Sequence, residues 1–170
     1  MTARGFSILE LVIVLSIVGI MAAIAVPRYG RAVDRSRVEQ AAARVAHDLR
    51  QASDRARAMS APYHAVFSTT KDYYRLAEGV YTKTGLLDRQ SVVLLSQDPY
   101  LTRIIKVGFG AGDNVGVTFD GYGRPDNAGL IYLRAGNHYR LVTLDASGGT
   151  SISIPGVNPA PDPKPDPISL

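Results

Sequence analysis

From Phe6 to Val26 the chain reads FSILELVIVLSIVGIMAAIAV, with Glu10 as its only charge. Roughly 21 residues at 1.5 Å each make a helix about 31 Å long, which matches the hydrocarbon core of a bilayer. Soluble folds seldom contain such a run, so a membrane-inserted helix is predicted over 6–26. Hydrophobic residues make up 46% of the 170, but this segment takes a large share of them. The remainder is long enough for one modest core and needs no staples. There are no cysteines, which excludes disulfides, thiolate nucleophiles and cysteine metal sites. The net charge of +4 comes from arginines between Arg28 and Arg57. They alternate with Asp34, Glu39, Asp48 and Asp54, as on the wet face of a helix. The same surplus suits the phosphates of lipid headgroups or nucleic acid.

Two readings compete for the apolar run. It could be a secretory signal, with Arg4 as the charged region and Ala23-Ile24-Ala25 as a small-x-small cleavage site. The chain would then be a soluble secreted protein. It could instead stay attached. An acidic residue inside a signal core is disfavoured, since a carboxylate costs about 2–3 kcal/mol on insertion scales. The helical pattern also continues past the supposed cut.

Gly5-Phe6-Ser7-Ile8-Leu9-Glu10, followed by the apolar run ending Gly19-Ile20-Met21-Ala22-Ala23-Ile24-Ala25-Val26-Pro27, resembles the class III signal of type IV pilins and type II secretion pseudopilins. Ser7 stands where many relatives have threonine and keeps the hydroxyl. The resemblance implies a leader over 1–5, cleaved after Gly5 by a prepilin peptidase on the cytoplasmic side. It also implies N-methylation of Phe6, and pairing of Glu10 with the Phe6 amine of a neighbouring subunit. The residue types suit that chemistry. Gly5 lets the backbone enter a narrow protease site, Arg4 holds the leader in the cytoplasm, and an intramembrane carboxylate needs a partner. One count runs the other way. Arg28, Arg31, Arg35 and Arg37 outnumber Arg4, so the positive-inside rule alone would put the C-terminal part in the cytoplasm. The Gly5/Glu10 signature overrides it here.

Pro27 removes a backbone hydrogen bond, so a kink or loosening is expected there, with Gly19 a second weak point. Over 27–61 the apolar positions Val38, Ala41, Ala42, Val45, Ala46, Leu49, Ala52, Ala56 and Met59 recur at threes and fours. This is a narrow, alanine-rich helical stripe, ended by Ser60-Ala61-Pro62.

After Pro62 the period changes to two. Strands are predicted at 63–68, 73–78, 91–96, 102–109, 116–120, 130–134, 139–145 and 150–154. Turns fall at 70–72, 121–129, 135–137 and 147–149. The expected fold class is α+β: a long N-terminal helix, half transmembrane and half amphipathic, packed on an antiparallel β domain over 62–154. The ending GVTFDGYGRPDNAGLIYLRAGNHYRLVTLDASGGTSI resembles the globular end of GspH/FimT-type minor pseudopilins. So does Ala42-x-x-Val45-Ala46-x-x-Leu49 followed by Pro62-Tyr63-x-Ala65-Val66-Phe67. Residues 155–170, PGVNPAPDPKPDPISL, read as an extended, disordered proline-rich tail.

Catalysis needs a nucleophile with a base, or paired carboxylates in a pocket. His47, His64 and His138 fall on a helix, a strand and a turn without ligand spacing, and Ser60 near His64 lacks a supporting acid. Asp113, Asn114, Asp120, Asp126 and Asn127 crowd glycine-rich turns and could attract calcium, but such residues also build turns for their own hydrogen bonds. Gly108, Gly110 and Gly112 precede no helix, so they make no phosphate cradle. Tyr73, Tyr74, Tyr81, Tyr122, Tyr132 and Tyr139 could stack on bases; in strands they serve packing. The reading is therefore a non-enzymatic minor pseudopilin or minor pilin without cofactor or metal. It would be single-pass in the bacterial inner membrane with its C-terminal domain in the periplasm. Its partners would be other pilin-like subunits, the prepilin peptidase and the inner-membrane assembly platform. A DNA-uptake pilin binding nucleic acid is the alternative.

Overall fold

Helical hydrogen bonding begins just after Ser7 and continues to Met59, giving α1 (Ile8–Met59), 52 residues and about 78 Å at 1.5 Å per residue. The structure, a computed structural model, describes residues 7–78, 90–110 and 115–155. Helical assignment is continuous through Gly19 and Pro27. At the C-terminal end Ser60 takes the left-handed conformation (φ 50°). Its N–H and that of Ala61 donate to the carbonyls of Arg57 and Ala56, both at 3.2 Å. These are the paired bonds of a Schellman stop, with serine in the usual glycine position. Pro62 then forbids further helix.

Beyond the helix lie β1 (Tyr63–Ser68), β2 (Tyr73–Glu78), β3 (Gln90–Leu94), β4 (Arg103–Phe109), β5 (Gly116–Phe119), β6 (Gly129–Ala135), β7 (His138–Leu144) and β8 (Thr150–Ser153). All eight predicted strands are present, but they form two antiparallel four-stranded sheets rather than one, ordered β3-β2-β1-β5 and β4-β6-β7-β8. β4 and β5 are neighbours in sequence yet lie in different sheets. β5 returns to β1, with Phe119 opposite Tyr63, while β4 pairs with β6. A bulge between Ile104 and Lys106 shifts the alternation of β4, so Ile104 and Val107 both face inward.

α1 lies against β6, β7 and β8 of one sheet and β1 and β5 of the other. Its stripe Val38, Ala41, Ala42, Val45, Ala46, Leu49, Ala52 and Ala56 is fully buried, and alanines there let the helix come close to the strands. Met59, the last predicted member, is exposed because the Ser60 turn follows at once. Phe67 of the first sheet meets Tyr74 at 5.3 Å and Phe109 of the second at 5.9 Å between ring centroids, closing the seam between sheets.

The loops hold the helix by polar contacts. Ser53 Oγ donates to the Gly123 carbonyl (2.7 Å), Arg57 Nε to the Tyr122 carbonyl (2.8 Å) and Arg50 to the Thr150 carbonyl (2.8 Å). Gly123 has φ 75°, and a Cβ there would run into Arg57 and the Ser53 carbonyl. Asp48 corrects the wet-face reading. It lies at the buried edge of the stripe, 1% exposed, where Oδ2 accepts from Tyr74 Oη (2.7 Å) and Arg44 Nε (3.0 Å). Burial first, then the bond to Asp48, pushes the Tyr74 hydroxyl far above the usual phenol range. The hydrogen bond and charge of Asp48 raise Arg44 as well.

Candidate assembly site

From Ile8 to Ala23, α1 is uncovered among the described residues. From Ile8 (84% exposed) through Met21 (66%), every large apolar side chain points outward on all sides of the helix. Its most apolar 18-residue window has a mean hydropathy of 2.7, which makes α1 long and apolar enough to cross a membrane. Among the described residues, the first fully buried one of the helix is Val38. α1 is thus one rod with two surfaces: an uncovered apolar length, then a length whose apolar side is already spent on the sheets.

Ser7 starts the rod. Its extended backbone (φ −75°, ψ 143°) and side chain make it the N-cap, accepting the Leu9 N–H at 3.3 Å. Ser7 and Glu10 stand three apart, the capping-box spacing. Sequence reading passed over that signal because the hydroxyl was weighed only against the threonine of relatives. No bond from Glu10 closes the box. Glu10 lies in the first turn, exposed, where the helix dipole favours a carboxylate. It has no hydrogen-bond or ion-pair partner among the described residues. Ser16, the other polar side chain of this stretch, satisfies itself by donating to the Val12 carbonyl at 2.7 Å. Gly5 and Phe6 lie outside the described residues.

The residues considered for other chemistry are dispersed. Ser60 is the helix stop, His47 is exposed on α1, His64 Nδ1 lies 2.9 Å from Thr118 Oγ1 on β5, and His138 opens β7. Asp120 Oδ1 accepts from Tyr122 N and Arg124 N, and Asp126 Oδ1 from Thr118 N. Asp113, Asn114, Tyr81, Gly112 and the tail 156–170 lie outside the described residues. Among the described residues no three His, Asp or Glu side chains form a group that could hold a metal. Tyr74 is committed to Asp48, while Tyr73 and Tyr139 lie under Arg75 and Arg134, at 5.8 and 5.5 Å.

A long N-terminal helix, apolar and bare in its first half and sealed onto antiparallel sheets in its second, defines the type IV pilin-like fold. Two crystal structures of the type IV minor pilin FimU of Pseudomonas aeruginosa share it. One aligns at a TM-score of 0.54 with 13% identity, covering 74% of this chain and 95% of that one. The other aligns at 0.50 with 14% identity, covering 72% and 97%. No family profile and no curated protein matches the sequence.

Proposed function

We propose that this chain is a minor pilin or minor pseudopilin: a structural subunit held in the inner membrane by the first half of α1 and then drawn into a filament through that same surface. The observation that carries the reading is the bare half of α1. Sixteen residues such as Ile8–Ala23 left uncovered in water would drive aggregation, so the surface requires lipid first and neighbouring helices later. The pilin-like fold supports the same reading. Glu10, uncommitted at the start of the rod, is suited to accept the amine of an adjacent subunit once lipid is exchanged for protein. In this reading prepilin peptidase cuts between Gly5 and Phe6 and methylates Phe6, the assembly platform receives the processed chain, and the sheets remain periplasmic. Pro27 and Gly19 are the places where the rod yields during extraction.

Sequencing the mature N terminus tests processing. Phe6 supports the proposal, whereas a start at Val26 means a cleaved secretory signal and a soluble protein. Glu10→Ala tests assembly. The variant is expected to be processed normally but to be lost from sheared filaments, and normal incorporation would remove Glu10 from the contact.

A further inference from the structure

We propose that the membrane-facing end of the β domain is a docking surface for anionic phospholipid headgroups, centred on the cleft between α1 and the β6–β7 turn. This rests on the membrane-anchored reading above. A Cβ at Gly136 would strike Asp34, which fixes the turn at the level of residue 34 on the rod. A cleft of about 550 Å³ opens beside it, lined by Arg35, His138, Tyr139, Arg140 and Ile154 among others, with no carboxylate among the described residues of its wall. Arg35 is exposed and has no ion-pair partner among the described residues. α1 brings Arg28, Arg31, Arg35 and Arg37 to this end, β6 brings Arg134 and β7 Arg140. Among the described residues, Asp34 lies 3.5 Å from Arg37 and Glu39 3.3 Å from Arg140. Six arginines thus gather at this end, and Arg35 among them keeps its charge toward the cleft.

Their height fits headgroups. Arg28, Arg31 and Arg35 follow Val26 by about 3, 8 and 14 Å along the helix, and the polar layer of a leaflet is about 5–8 Å thick. Arg28 lies in that layer and Arg31 at its outer edge, while Arg35 with the cleft stands about 6 Å beyond it, within the reach of an extended arginine side chain. Ile154 is 69% exposed at the same end, which adds an apolar contact of the kind interfacial surfaces use. The arginines that contradict the positive-inside count gain a role as partners of lipid phosphate on the far leaflet.

The test uses the full-length chain in vesicles of phosphatidylcholine, with and without phosphatidylglycerol. The sequence has no cysteine, so Ser153→Cys, exposed and outside the cleft lining, carries a single fluorophore for energy transfer to a headgroup acceptor. Transfer is expected to rise with phosphatidylglycerol and to fall with salt. It should drop in Arg35→Gln, each arginine changing the docked-to-undocked ratio by about fivefold. Arg124→Gln, at the opposite end, should leave it unchanged. Equal transfer in both vesicles, or an equal drop in Arg124→Gln, overturns the proposal. So does a salt-sensitive response to duplex DNA in neutral vesicles without any response to phosphatidylglycerol. Alkaline carbonate separates the two layers of inference. A chain washed out of both vesicles defeats the anchor and the docking together, while one retained in both with the same transfer defeats the docking alone.

Discussion

Asp48 shows how one residue can be misassigned by a sound rule. Charges spaced through an arginine-rich helix read as a solvated face, yet Asp48 sits three positions after Val45 and beside Leu49, on the flank that Tyr74 covers. Only the partner's position reveals this, and Tyr74 is 26 residues away in sequence. Tyr74→Phe leaves the buried carboxylate short of a donor and should cost about 1–3 kcal/mol, read as a lower urea midpoint. Because folding keeps the proton on Tyr74 to higher pH than the unfolded chain does, its contribution is complete below about pH 10. Above that pH it is lost by about 1.4 kcal/mol per unit. Urea midpoints measured through the alkaline range should decline in the parent chain and decline less in Tyr74→Phe. At Ser60, glycine relieves about 1–2 kcal/mol of left-handed strain and costs about 0.4–1 kcal/mol of unfolded-chain freedom. Ser60→Gly should therefore raise stability by about 0.5–1 kcal/mol in the same assay.

Among the elements, what could be read from the sequence follows from how local the signal is. The 3.6-residue stripe from Val38 to Ala56 and the strands from Tyr63 onward carry their own periodicity, so the helix, the strands and their inward faces were legible. Which strand pairs with which was not. Val117 and Phe119 of β5 alternate with less buried neighbours much as Val107 and Phe109 of β4 do, and nothing local sends one to β1 and the other to β6. The bare half of α1 was legible for the opposite reason, since a bilayer demands an unbroken apolar run and leaves no choice of face. The Ser7 cap was within reach and missed. Close approaches between elements were hidden as well: Gly129 faces the Phe109 ring, which a Cβ would strike. Gly129→Ala should destabilise the chain by about 1–3 kcal/mol through overpacking between β4 and β6, visible as a lower thermal midpoint.

Taken whole, the molecule divides its packed and its uncovered apolar surface between two lengths of one helix. Among the described residues none of the buried core precedes Val38, so removing residues 1–27 should leave the urea midpoint within experimental error while abolishing association with membranes. Leu49→Ala, in the sealed half, should cost about 2–5 kcal/mol. Because α1 is one continuous element from Ile8 to Met59, the helical phase between them orients the sheets relative to the bare length whenever the rod is intact, as the bit of a key is set on its shaft. An alanine inserted beside Gly30, where a Cβ would meet nothing within 4 Å, turns the sheets by about 100° about the rod and lifts them about 1.5 Å. Seven added residues bring them back to within about 20°. In sheared filaments the single insertion should exclude the subunit and the seven-residue insertion should readmit it, so the exposed bridge sets which way each sheet domain faces.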